Sequence, residues 1–252
     1  MYKATNIDTD KALKIIEAFR REEILLKSKP ILFNTDMVRA ILDGKKTVTR
    51  RIVKNNPEEC TSKVVNDVCK ICDDKGGFYL PDDYIKARSP YQVGDVLYVR
   101  ETWKSFCGML YGRENGTYIP LDDFEGYQYK ADEQYVCTKG INPFCDCFDD
   151  QKRDISFDDK WHPSIHMPKE AARIFLRVTN VRVERLQDIT PEQIDAEGCK
   201  EYAYNAKTGE LLPSKPTWFK IKWDSTIKKS DIDKYGWAAN PYVWVIEFER
   251  ID

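Results

Sequence analysis

Two hydrophobic periods alternate along the chain. Over residues 8–27, Ala12, Ile15, Ile16, Phe19 and Ile24 recur at helical spacing, and Asp8 or Asp10 stands where it can cap. That predicts a charged amphipathic helix. Lys29 to Phe33 reads as a short strand. Over residues 35–43, Met37, Ile41 and Leu42 share one face, and Thr35 or Asp36 can cap the N-terminus. Gly44 follows, where a positive φ can end the helix. The period then drops to two. Lys46, Val48 and Arg50 fall on one side of an extended segment, and Thr47, Thr49 and Arg51 on the other. This predicts a strand over 46–53. Alternation recurs at 94–101, where Val96, Tyr98 and Arg100 oppose Leu97, Val99 and Glu101. The longest such pattern, over 171–184, sets Ala172, Ile174, Leu176 and Val178 against Phe175, Arg177 and Thr179. Residues 242–250 form a last strand. Thr190 before Pro191 starts a helix that Gly198 ends. Trp218, Phe219, Ile221 and Trp223 look helical or half-buried.

Between these elements lie two segments read as loop-rich insertions. Residues 55–90 are punctuated by Pro57, Gly76, Gly77, Pro81 and Pro90. In residues 105–160 only 126–132 reads as a strand, and Asp146, Asp149, Asp150, Asp154, Asp158 and Asp159 make the second half acidic. Residues 203–216 form a further loop. The expected organisation is a helical extension over 1–28 and one domain over 29–252, a length that a single domain with long insertions can have.

Composition narrows the function. Apolar residues make up 42% of the 252 positions, enough for a substantial core, and the charges nearly cancel to −2. A global basic field for gripping nucleic acid is therefore excluded. Positive charge gathers locally in Lys45, Lys46, Arg50, Arg51 and Lys54. No apolar run reaches membrane-spanning length, and the N-terminus lacks an apolar signal core, so the expectation is a cytoplasmic protein without membrane contact. Cys69 and Cys72 have zinc-knuckle spacing, with Cys145 and Cys147 as a second pair. Free thiols in loops are the competing reading, and no cofactor is expected. Pro163 stands between the only two histidines, His162 and His166, which argues against a helical metal pair. His166 is instead a candidate ligand contact on a loop rim. Trp103 and Trp161 could stack on a base or belong to a core, and Glu101 is placed near the pocket mouth.

Gly44-Lys45-Lys46-Thr47-Val48-Thr49-Arg50-Arg51 resembles the signature of the ASCH domain, a member of the PUA-like superfamily, in which a short helix runs through this motif into the first barrel strand. Tyr91 to Trp103, with Gly94-Asp95-Val96-Leu97, resembles a second family segment. Leu186 to Gly198 resembles the family's helix with its acidic residue, and Asn240 to Phe248 its final strand. Trp161 to Pro168 and Trp223-Asp224-Ser225 are similar to a phage- and prophage-associated subgroup often labelled morphogenetic proteins. The matched segments keep their order and cover about half the chain. The resemblance implies a mixed α+β fold, a PUA-like β-barrel with flanking helices and two loop-rich insertions.

It also implies a chemistry. One ASCH branch removes the acetyl group from N4-acetylcytidine. By motif position its lysine, threonine and glutamate become Lys46, Thr49 and Glu197. Read from the residues themselves, Lys45, Arg50, Arg51, Glu101, Trp103 and His166 are candidate ligand contacts. A lysine neutralised by burial and neighbouring cations could take the threonine's proton, or the threonine could orient a water. Glu197 could pass a proton to the departing amine. The competing reading is structural: the same trio could form a buried ion pair and hydrogen bond that join strand to helix. The expected partner is a modified nucleoside or nucleotide, or RNA. The alternative to hydrolysis is a non-catalytic binding module of phage origin.

Overall fold

The computed structural model describes residues 22–54, 58–59, 71–72, 78–79, 83–84, 88–140, 142–144, 152–199 and 215–251. Its elements, in chain order, are β1 (Lys29–Leu32), α1 (Thr35–Leu42), β2 (Val48–Ile52), β3 (Glu58–Glu59), β4 (Ile71–Cys72), β5 (Phe78–Tyr79), β6 (Val96–Arg100), β7 (Trp103–Glu114), β8 (Thr117–Tyr129), β9 (Tyr135–Lys139), β10 (Lys152–Phe157), β11 (Phe175–Arg185), α2 (Pro191–Ala196), α3 (Lys215–Thr226), α4 (Ile232–Tyr235) and β12 (Tyr242–Ile251). The class is mixed α+β, as expected. The chain divides into two compact units. The first holds the described residues up to Val38 and Val96–Leu176, the second those of Arg39–Asp95 and Arg177–Ile251.

In the first unit β1 pairs with β6 in parallel, with Ile31 opposite Val99; in the second, β12 lies between β11 and β2. Among the described residues no sheet closes into a barrel. A closed barrel needs every strand paired on both edges, whereas among the described residues the four-residue β1 pairs with β6 alone. In the second unit, β12 and β2 are antiparallel, with Trp244 opposite Arg51, Val245 opposite Arg50 and Ile246 opposite Thr49. Opposed residues share a face. Val48, Val243 and Val245 therefore point one way, into a core closed by Ile194 of α2 and by Phe219 and Trp223 of α3. Thr49, Arg51, Trp244 and Ile246 point the other way.

The second expected insertion is not loop-rich. In the first unit β7 and β8 form a long hairpin flanked by β10 and β9, in the order β10-β7-β8-β9. Asn115 (φ 49°) and Gly116 (φ 83°) turn it, the paired positive-φ geometry that favours Asn-Gly in two-residue hairpins. A register shift after Leu110 sets Tyr111 against Pro120. This irregularity accommodates a proline that breaks the alternation. Phe106, Leu110 and Phe124 form the buried core of this sheet. Residues 55–90 hold a small antiparallel sheet, β3-β4-β5.

Other boundaries shift for local reasons. Asn34, not Thr35 or Asp36, caps α1, its Oδ1 accepting the Met37 N–H at 2.9 Å. The expected strand at 94–101 starts at Val96, because Gly94 (φ 90°) turns the chain. The pattern at 171–184 begins as a short 3-10 turn over Lys169–Ala171 before β11. Of the helix expected over 8–27, residues 22–27 are helical, and 8–21 lie outside the described residues. No helix among the described residues is long and apolar enough to cross a membrane.

Candidate functional site

The turn after α1 and the end of α2 meet at Lys46 and Glu197. Gly198 has φ 82°, which ends α2 and turns the Glu197 side chain and carbonyl toward β2. Thr47 N donates to Ala196 O at 2.9 Å, and Lys46 and Glu197 form an isolated antiparallel bridge. The other end of α2 is set by a capping box between Thr190 and Gln193, with Pro191 in the first turn. The N–H groups of Thr190 and Gln193 find acceptors in each other's side chains there, which helps this six-residue helix hold its place without length.

The side chains then interlock. Lys46, 2% exposed, donates from Nζ to Glu197 Oε2 at 2.6 Å, Glu197 O at 3.0 Å and Val48 O at 2.7 Å. Arg50 Nη1 reaches Glu197 Oε1 at 3.1 Å, and Nη2 reaches Gln193 Oε1 at 2.7 Å and Glu184 Oε2 at 3.5 Å. Gln193 Oε1 also accepts the Thr190 N–H at 3.1 Å, so the helix cap and the ion-pair network share one atom. Arg182 contacts both Glu184 and Glu247. Lys46, Arg50 and Arg182 are thus matched by Glu184, Glu197 and Glu247, three cations to three carboxylates. Burial pushes the Lys46 amine below the ordinary lysine range, the Glu197 carboxylate pulls it back up, and Arg51 adds to the depression. Three acceptors around one nitrogen, one of them a carboxylate at 2.6 Å, are the environment of an ammonium.

The other expected residues lie elsewhere. Thr49 is 1% exposed and leaves β2 on the face opposite Lys46 and Arg50. Arg51 shares the Thr49 face, half-buried, and burial pushes its guanidinium below the usual range. Lys45 is exposed and pairs with Asp43 at 3.6 Å. Glu101, Trp103 and His166 belong to the first unit. Glu101 is buried and held by Arg173 through two bonds of 2.9 Å, so it braces that unit and does not stand at an open mouth. Trp103 stacks on His162 with centroids 4.8 Å apart. His166 is exposed in a 3-10 turn over Ser164–His166. Nearby, Ser105 Oγ donates to Asp158 Oδ2 at 2.6 Å, and His162 Nε2 lies 3.0 Å from the same oxygen. With the carboxylate in the middle, the histidine has no contact with the hydroxyl and this is no nucleophile relay. Of the zinc candidates, Cys72 lies in β4, and Cys69, Cys145 and Cys147 lie outside the described residues. No group of three or more His, Cys, Asp or Glu able to hold a metal occurs among the described residues.

On the Thr49 face, a cleft of about 580 Å³ opens beside Arg51, Lys54, Tyr84, Arg88, Pro90 and Trp244. Tyr84 and Trp244 stack, centroids 5.9 Å apart and planes 17° from parallel. The Arg88 guanidinium lies 5.5 Å from the Tyr84 centroid. The Thr190-x-x-Gln193 spacing signals the capping box that positions Gln193. Glu184 meets the nearby Arg182 and the distant Arg50, and Tyr84 meets the nearby Arg88 and the distant Trp244; it is the distant partners that leave no local signal. No known family model, curated protein or solved structure matches the chain.

Proposed function

We propose that this chain is a nucleoside- or nucleotide-recognising protein of the ASCH, PUA-like kind, in which Lys46 and Glu197 brace the site and hydrolyse nothing. The ordered motifs at 44–51, 91–103, 186–198 and 240–248 support the family reading. The observation that carries the binding reading is the Lys46 ammonium, which directs its three N–H donors at Val48 O, Glu197 O and Glu197 Oε2. A general base needs a lone pair aimed at the nucleophile's proton, within hydrogen-bond reach. Here the Lys46 nitrogen is surrounded by three acceptors of its own, and the hydroxyl of Thr49 lies across the strand. The test is a panel of N-acylated nucleosides, N4-acetylcytidine included, followed by calorimetry for binding and chromatography for released acid. Binding without release is expected. Acid release that disappears in Lys46→Ala would overturn the reading.

The amidohydrolase reading has one observation in its favour, the depression of the Lys46 pKa by burial. Under it, activity must rise with pH through the depressed value and level off above it. Lys46→Arg, which stays protonated, must then bind ligand without turnover.

A further inference from the structure

We infer that Asn115 is a site of spontaneous modification, its side-chain amide converting to aspartate and isoaspartate through a cyclic imide closed by the Gly116 nitrogen. The reaction needs only water and the chain's own atoms. The Gly116 nitrogen attacks Cγ of Asn115. An N–Cγ bond forms, the Cγ–Nδ2 bond breaks, and ammonia leaves with the proton of the Gly116 N–H. Water then opens the ring. Cleavage at Cγ gives aspartate and restores the original backbone. Cleavage at the Asn115 carbonyl carbon gives isoaspartate, in which the backbone runs through Cγ. Nothing is oxidised or reduced.

Three features single out this residue. Asn115 is followed by glycine, as no other asparagine in the chain is, so no Cβ shields the attacking nitrogen. Both residues are exposed in the turn between β7 and β8, and a Cβ added to Gly116 would meet nothing within 4 Å. Among the described residues, neither the Asn115 side chain nor the Gly116 N–H has a hydrogen-bond partner. The other described asparagines are held or blocked. Asn34 caps α1. Asn142 and Asn240 use Oδ1 to accept the Phe144 and Gln187 N–H groups, and each precedes a proline, which has no N–H to lose. Asn180 lies inside β11 before the β-branched Val181. Ring closure requires Asn115 to leave its positive φ of 49°, and an exposed two-residue loop opens at little cost. Isoaspartate lengthens the backbone of a loop whose geometry depends on its length, so the tip loses the pairing of Glu114 with Thr117.

The test is ageing of the full chain at pH 7 and pH 9, followed by peptide mapping and labelling with an isoaspartyl methyltransferase. Asn115 should convert before every other asparagine and give both products. Conversion should be severalfold faster at pH 9, because the attacking nitrogen must lose its proton. Gly116→Ala should slow it severalfold. Alanine is strained at the Gly116 φ of 83°, so circular dichroism checks that variant, and the order and pH dependence in wild type decide without it. Hydrogen exchange then reads the tip. Amides of residues 113–118 should lose protection in the isoaspartate form and keep it in Asn115→Asp, which has the same charge without the extra backbone atom. Another asparagine converting first, equal rates at the two pH values, or aspartate without isoaspartate would each overturn the inference. Equal exchange in the isoaspartate form and Asn115→Asp would overturn the loss of pairing.

Discussion

Glu197 is the anion shared by two buried cations, Lys46 and Arg50. Its removal leaves both charges without that partner in a site closed to water. Glu197→Ala is therefore expected to cost about 3–5 kcal/mol in urea-induced unfolding, the usual penalty for breaking a buried pair from one side. A loss below about 1 kcal/mol, in the range of a surface pair, would show that water reaches the site. Cys199 lies close enough to register the same field. Burial first, then Glu197, pushes its thiol from 9.0 up to about 12. Between those values the native state keeps a proton that the unfolded chain releases. Stability should therefore fall as pH rises from about 9 towards about 12. Lys46, with its depressed pKa, works in the opposite sense, so the difference between wild type and Cys199→Ala isolates the thiol. The same shift predicts reactivity: at pH 8, iodoacetamide should modify the exposed Cys107 before Cys199, as read by peptide mapping.

At the scale of elements, α2 positions the network with six residues, too few to be stable alone. Its capping box should matter accordingly. Thr190→Ala is expected to lower stability by about 1 kcal/mol in thermal or denaturant unfolding. Gly198 is more constrained. Its φ is 82°, and an added Cβ would lie 2.6 Å from the Ala40 Cβ and 3.0 Å from the Lys46 Cβ. Gly198→Ala combines backbone strain with overpacking, about 1–3 kcal/mol, and should displace Lys46 from Glu197. An unchanged midpoint would mean the loop relaxes freely. The hairpin in the first unit teaches a different lesson. Asn115-Gly116 is a readable turn signal, yet the flanking alternation is broken by Gly108, Gly112, Pro120 and Gly126. Gly108 and Gly126 let aromatic rings approach the backbone, Phe124 at the first and Phe106 at the second, and Gly112 makes room for Leu121. Such gaps in a pattern make sense only once the strands are paired.

Over the whole molecule, near neutrality limits what the protein can hold. If single-stranded RNA engages the cleft at all, three lining cations set a ceiling. The slope of log affinity against log salt should be no steeper than about −2. Fluorescence anisotropy across a salt series measures it, and a much steeper slope would require a second basic surface. What residues within a few positions of one another decide was legible in the chain. The 3.6-residue period and the glycine after α1, the alternation of β2 and β12, and the Thr190-Pro191 start of α2 are such features. Even the separation of Thr49 from Lys46 follows from the two-residue period of an extended strand. The pairing of Lys46 with a carboxylate 151 positions away, the balance of three cations by three carboxylates, and the collection of Tyr84, Arg88 and Trp244 around one cleft are decided differently. They depend on which strands lie side by side and which face each turns to a helix. Burial and long-range hydrogen bonding choose among those arrangements only when the whole chain has folded.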